Sequence, residues 1–291
     1  MRPTIVFSCL AAIAHALPLG DVADAIAPGT RIGPYLTAEL LGQGAFAQVY
    51  RGMLQGNSDN RYPKVAAIKC SAFGGTEEIK ALRQARFEQE FKIQGQFNHP
   101  NIIKVYGVFD GPKPKQRCAV LEFASGKDLA TLCQQQPFSE AKLRSVMRGI
   151  VDAVQTIHKA DVSHNDIKPE NVVMMENGVA KLADFGLARD MKVDPTQRAN
   201  NNNEGTGRYR APELSSFSMT QMVDVRNADM YALGKTMWVL LTGYVDAKNK
   251  LTWQEWQWSA ELAAMIKSTM VEEAKRASAT TVLANPWWNQ A

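Results

Sequence analysis

Residues 164–171 read His164-Asn165-Asp166-Ile167-Lys168-Pro169-Glu170-Asn171, and thirteen residues further on stands Asp184-Phe185-Gly186. A carboxylate, a lysine two residues later and an amide five residues later can converge on one phosphoryl group in transfer. The carboxylate accepts the proton of an attacking hydroxyl, the lysine neutralises phosphate charge, and the amide oxygen offers a hard ligand to a metal ion. Asp184 adds a second metal-binding carboxylate on a turn, and Ala211-Pro212-Glu213 closes the loop that follows.

Working outward toward the N-terminus, Leu41-Gly42-Gln43-Gly44-Ala45-Phe46-Ala47-Gln48-Val49 is a glycine turn. Without a Cβ, its backbone N–H groups can approach phosphate oxygens. The turn leads into a strand and not a helix, which excludes a dinucleotide or P-loop turn. Ala67-Ile68-Lys69 follows, with the lysine ending an apolar strand twenty residues after Val49.

Around these motifs the composition changes once. Strands are expected over 38–41, 49–53, 65–70, 102–109 and 117–123, with a helix over 77–96 rich in Glu, Lys, Arg, Gln and Ala. Helices follow over 128–135, 139–159, 227–241 and 260–273. A strand-rich first part and a helix-rich second part predict an α+β chain in two lobes. No internal repeat is present, and the asparagine tract at 200–203 reads as a loop tip.

The chain has 291 residues, 45% hydrophobic and 21% charged, with a formal net charge of +4. That balance is ordinary for a globular domain and carries no block of like charge, so neither nucleic acid nor a membrane patch is expected as partner. The apolar run at 232–245 contains Lys235 and is too short to span a bilayer, so it reads as a buried helix. The four cysteines, Cys9, Cys70, Cys118 and Cys133, show no metal-site spacing. Reduced, buried thiols and no disulfide framework are expected. Residues 17–33, rich in Gly, Pro and Ala, read as a linker. Arg2, an apolar run over 5–14 and Ala14-His15-Ala16 have the layout of a short secretory leader ending near residue 16. The absence of a glycosylation sequon favours the other reading, an extension ahead of an intracellular enzyme. Cytoplasm and secretory pathway both stay open.

The ordered motifs resemble those of the eukaryotic protein kinase family, from Tyr35 to Trp288. The resemblance implies a bilobal kinase fold: a leader and linker over 1–34, an N-lobe over 35–121 (a small antiparallel sheet with one main helix), a hinge over 122–126 and a mainly helical C-lobe over 127–288. It implies ATP and Mg2+ as cofactors and transfer of the γ-phosphate to Ser or Thr hydroxyls of protein substrates. Lys69 resembles the lysine that holds the α- and β-phosphates, with Glu90 as its helix partner. Asp166 resembles the catalytic base and Lys168 the phosphate-neutralising residue. Asn171 and Asp184 resemble the magnesium ligands. Gly42, Gln43, Gly44 and Ala45 are implied to cover the phosphates, and Val49, Ala67 and Val173 to wall the adenine. Leu121 looks like the gatekeeper, Glu122, Phe123 and Ala124 like the hinge, and Asp128 like a ribose contact. Asp229 resembles a buried anchor for the catalytic loop, and Arg276 the partner of Glu213.

Lys168, with Thr206 ahead of Ala211-Pro212-Glu213, is similar to the Ser/Thr type. Glu170 and Asp128 hint at a basic context in the substrate, and the enzyme is expected to be a monomer. Three positions depart from the family pattern. Asn165 replaces the usual arginine, which suggests independence from phosphorylation of the activation loop, whose hydroxyls are Thr196, Thr206 and Tyr209. Ala47 replaces a third glycine. Gln94 stands where an apolar residue is usual, and a buried amide there needs partners. An active arrangement that depends on an activating partner protein is one consequence. The tryptophans Trp253, Trp256, Trp258, Trp287 and Trp288 read as packing of the late helices, and the segment between Tyr244 and Trp253 as a shortened docking region. The rivals are a non-catalytic scaffold, which the intact Lys69, Asp166, Asn171 and Asp184 oppose, and a small-molecule phosphotransferase, which the Thr206 to Glu213 segment opposes.

Overall fold

Alternating burial builds the first half of the chain. The computed structural model describes residues 25–44, 47–56, 60–72, 75–193, 205–214, 224–243 and 258–290. Six strands form one antiparallel sheet: β1 (Arg31–Ile32), β2 (Tyr35–Gln43), β3 (Ala47–Leu54), β4 (Val65–Ser71), β5 (Val105–Asp110) and β6 (Arg117–Glu122). Their order is β1-β2-β3-β4-β6-β5. Successive side chains point to opposite faces of a strand. Ala66, Ile68 and Cys70 of β4 therefore share one face with Cys118 and Val120 of β6, packed on Ile26, Ile32, Tyr35 and Tyr50. Ala67, Ala119 and Leu121 share the other face with Val49, Phe87, Phe91 and Val173. Lys69, in step with Ala67, is delivered to this second face.

Helix α1 (Glu77–Gln94) lies on that side. Thr76 caps it by accepting from Ile79 N, and Glu77 and Glu78 in the first turn suit the positive end of its dipole. It buries Phe87, Glu90, Phe91, Ile93 and Gln94. After residue 126 the elements are α2 (Leu129–Gln135), α3 (Glu140–Lys159), β7 (Val162–Ser163), β8 (Val172–Met174), β9 (Ala180–Leu182), β10 (Arg189–Asp190), α4 (Val225–Thr242), α5 (Ala260–Thr269) and α6 (Ala279–Leu283). Helix α3 buries Leu143, Val146, Met147, Ile150, Val151, Val154 and Ile157, one stripe at helical spacing. Burying each such side chain is worth roughly 1.5–3 kcal/mol against leaving it exposed. Helix α4 is buried nearly all round, as its apolar sequence predicts, and no helix among the described residues is long and apolar enough to cross a membrane.

The two-lobe α+β architecture matches the sequence reading; four details differ. The stretch read as a linker carries β1, and it buries Ile26 and Ile32 in the outer face of the sheet. A two-residue strand is too short to leave a periodic signal. Cys70 and Cys118 are opposed across β4 and β6 and joined by a disulfide, which corrects the expectation of reduced thiols. Their separation of 48 residues hid a pairing that the strand register makes direct. The strand expected from residue 102 begins at Val105, because Ile102 bridges to Leu182 instead. Helix α5 stops at Thr269, and Glu273 lies in a separate 3-10 turn. Trp287 and Trp288 are buried and Trp258 packs against the same core, as expected. Trp253, Trp256, Thr196, the 200–203 tract and the segment after Tyr244 lie outside the described residues.

Candidate active site

The loop at 164–171 is held by one buried carboxylate. Asp229, on α4 and 1% exposed, accepts from His164 N and Asn165 N, both at 2.7 Å, and meets His158 Nε2 at 2.9 Å. Asn165 takes a left-handed backbone (φ 65°), which asparagine tolerates better than most residues. Its side-chain amide donates to Ser163 Oγ at 3.0 Å and to the Leu187 carbonyl at 2.9 Å. A neutral amide thus ties this loop to the start of the segment after Gly186.

Beyond that anchor the loop turns its polar groups inward. Asp166 Oδ2 accepts from Lys168 Nζ at 2.7 Å and Asn171 Nδ2 at 3.0 Å, while Oδ1 accepts from Thr206 N at 3.1 Å and Thr206 Oγ1 at 2.9 Å. Lys168 Nζ also donates to Thr206 Oγ1 at 2.8 Å. Burial raises the Asp166 carboxyl, but the charge and hydrogen bond of Lys168, with that of Thr206, outweigh burial and hold it below the usual range. Asp166 is therefore an ionised acceptor at neutral pH. Burial pushes the neighbouring Glu170 carboxyl up.

On the opposite wall Lys69 Nζ donates to Glu90 Oε1 at 2.7 Å and to Asp184 Oδ1 at 3.2 Å. All three groups are buried. Burial opposes the Lys69 charge, yet Asp184 and Glu90 together leave its ammonium raised. Burial lifts the Glu90 carboxyl to about 7, against the pull of Lys69 and with a push from Asp184. One cation is being shared by two carboxylates. Asp184 itself has φ 61°, and the following Phe185 is fully buried against His164, ring centroids 4.8 Å apart.

Beside Lys69 and Asp184 runs a cleft of about 580 Å³ lined by Leu41, Ala67, Lys69, Leu121, Val173 and Asp184 among others. Glu90, Glu122, Phe123 and Ala124 also line it. Glu122 sends its side chain outward to Lys181, at 2.9 Å. Gly126 closes this connection where a Cβ would lie 2.3 Å from the Met174 carbonyl oxygen, so only glycine fits. Val49 packs beside Ala67 and Val173. Gly42 and Gln43 sit in the β2–β3 ladder opposite Val49 and Gln48, and Gly44 N donates to Ala47 O at 2.8 Å. Ala45 lies outside the described residues. Asp128 is 2% exposed and caps α2, Oδ1 accepting from Thr131 N at 2.7 Å and Oδ2 from Thr131 Oγ1 at 2.9 Å. The sequence reading also missed Ile103, Ala183 and Leu41 as lining residues, and His158 as a third partner of Asp229. Single apolar residues at a strand end or in loops, and a histidine inside a helix, give no pattern to find them by.

The lower edge is set by Glu213, which pairs with Arg276 through two hydrogen bonds of 2.6 and 3.1 Å. Gln94, the departure in α1, is buried with its Nε2 donating to the Ile103 carbonyl at 2.8 Å. The amide has found a partner inside the domain.

A family model described as protein kinase domain matches residues 35–288. Relatives among curated proteins include CBL-interacting protein kinase 10 of Oryza sativa subsp. japonica, 27% identical over 87% of this chain and 56% of that protein. Serine/threonine-protein kinase PknD of Mycobacterium tuberculosis is 31% identical over 74% of this chain and 30% of its own length. Serine/threonine-protein kinase PKH3 of Eremothecium gossypii is 34% identical over 72% and 28%. The chain spans less than two thirds of the length of each of these relatives. Because the family match runs through both walls of the cleft and every loop that lines it, and not through one motif alone, this chain belongs to the protein kinase family.

Proposed function

We propose that the domain transfers the γ-phosphate of ATP to serine or threonine hydroxyls of protein substrates. The observation that carries this reading is the convergence of Lys168, Asn171 and Thr206 on an ionised Asp166, together with the buried Lys69–Glu90–Asp184 cluster that lines the neighbouring cleft. Asp166 is the acceptor for the proton of the attacking hydroxyl. As that oxygen bonds to the γ-phosphorus, the bond to the β,γ-bridging oxygen breaks and ADP departs with the electron pair. Lys168 neutralises charge on the transferred group, and Lys69 holds the phosphates that stay behind. Thr206 keeps Asp166 oriented and offers its own hydroxyl to Lys168 until substrate arrives.

The family's metal is Mg2+, and the donor set fits it. Asn171 spends its amide nitrogen on Asp166, while its Oδ1 is buried with no hydrogen-bond partner. Orphaned buried acceptors are rare and point to a missing cation or water. Mg2+ takes one or two carboxylates and phosphate oxygens, so Asn171 and Asp184 suffice on the protein side. When bound, the ion neutralises phosphate charge.

We assign the arginine-directed preference to Glu170 alone, because Asp128 is engaged as a helix cap. The test is phosphate incorporation from labelled ATP by the full chain into a Ser/Thr peptide pool with and without upstream arginine. Asp166→Ala should lower turnover by ~100-fold or more. Incorporation that survives this substitution would remove Asp166 from its role, and an inactive wild type that still binds ATP would favour a scaffold.

A further inference from the structure

Gln94 lies one turn beyond Glu90 on the buried face of α1 and is 2% exposed. Its Nε2 reaches the Ile103 carbonyl at 2.8 Å, and Ile103 N donates onward to the Leu182 carbonyl at 2.9 Å. Leu182 ends β9 two residues before Asp184. From the same helix face, Glu90 reaches Asp184 through Lys69, by contacts of 2.7 and 3.2 Å. Two routes therefore leave α1 and meet at one metal-binding position. One is ionic and passes over the cleft. The other is neutral and runs behind it, through the backbone of the loop that joins α1 to β5.

We infer that Gln94 is a positioning residue for phosphotransfer: its hydrogen bond to Ile103 fixes the depth and rotation at which α1 presents Glu90 to Lys69. The inference deepens the phosphotransfer reading and rests on it. An apolar side chain could fill the same space, but dispersion contacts tolerate sliding and rotation of a helix. A buried amide does not, because moving it away leaves both it and a carbonyl unsatisfied in a low dielectric. Gln94 also lines the rear of the cleft beside Leu121 and Ile103, so the bond sits within the site it orders. The buried amide that needed a partner thus finds one in the Ile103 carbonyl. The domain carries its own latch on α1.

The test is a double-mutant cycle on the full chain, comparing wild type with Gln94→Leu, Glu90→Gln and the combination. Two quantities are measured: kcat/KM for ATP, and the dissociation constant of a fluorescent ADP analogue. If Gln94 acts through Glu90, Gln94→Leu alone costs roughly tenfold in both, the size of one buried hydrogen bond, with KM for peptide unchanged. In the Glu90→Gln background the same substitution then costs less than about twofold. Equal losses in both backgrounds would reduce Gln94 to packing and overturn the inference, as would no loss in either. Thermal melts establish that each variant is folded. Should Gln94→Leu not fold, Gln94→Met, closer in shape and equally without a donor, takes its place in the cycle. An inactive wild type would sink the phosphotransfer reading, while the nucleotide-binding cycle would still decide the role of Gln94.

Discussion

At the level of single residues, the cleft is governed by a shortage of positive charge. Glu90 and Asp184 share Lys69, and burial leaves the Glu90 carboxyl at about 7. The folded value lies above the ordinary carboxylate range, so folding favours the protonated form. The resulting stability is complete below the unfolded-state value and is lost as pH rises through about 7. Activity runs the other way, because Glu90 must be ionised to hold Lys69. We therefore expect kcat/KM for ATP, which reports the free enzyme, to fall on the acid side with an apparent pKa near 7. Asp166 contributes nothing to this limb, since Lys168 and Thr206 help hold its carboxyl low. A profile measured from acid to alkaline pH on wild type and Glu90→Gln checks this. The limb should vanish in the variant, and a wild-type profile flat through neutrality would contradict the assignment.

Elements show which parts of the molecule could be read in advance. The long helices were legible from composition and the absence of proline; the side-chain caps at Thr76, Asp128 and Ser139 that fix their first turns were not part of that reading. Asp166, Lys168, Asn171 and Asp184 were legible because they sit in short, ordered motifs. What escaped were contacts between separate segments: the strand β1 against the outer face of the sheet, the Gln94–Ile103 bond, and the His158–Asp229 contact. None of these leaves a local pattern. Helix α4 is the strictest case of such a long-range fit. A Cβ at Gly234 would sit 1.9 Å from Thr269 Oγ1 on α5, a clash that Thr269, itself fully buried, has little room to relieve. Gly234→Ala should thus lower stability by about 1–3 kcal/mol despite alanine's better helix propensity. Urea denaturation measures it; an unchanged midpoint would mean that α4 and α5 separate at no cost. Because α4 also carries Asp229, the same variant should loosen the catalytic loop and lose activity below its melting range.

Across the whole molecule, one covalent link joins what the chain separates. The Cys70–Cys118 disulfide spans 48 residues, and the closed loop contains all of α1 and β5. It lies on the outer face of the sheet with Ile68 and Val120, away from Lys69. Both cysteines are fully buried, so the bond restrains the unfolded chain and is shielded from reductant in the folded one. Closing a loop of this length removes about 4 kcal/mol of chain entropy from the unfolded state. Two expectations separate this from the reduced-thiol reading of the sequence. Alkylation of the denatured, unreduced chain should leave Cys70 and Cys118 unmodified while Cys133, a free thiol, is labelled. The double variant Cys70→Ala/Cys118→Ala should unfold at a lower urea midpoint, with kcat little changed, because Lys69 projects from the opposite face and Asp166 and Lys168 lie outside the sheet. Labelling of Cys70 and Cys118 before reduction would show that the two strands meet without a covalent bond. The sheet would then owe its register to the backbone ladder and side-chain packing, and the double variant would lose only the few contacts of two buried sulphurs.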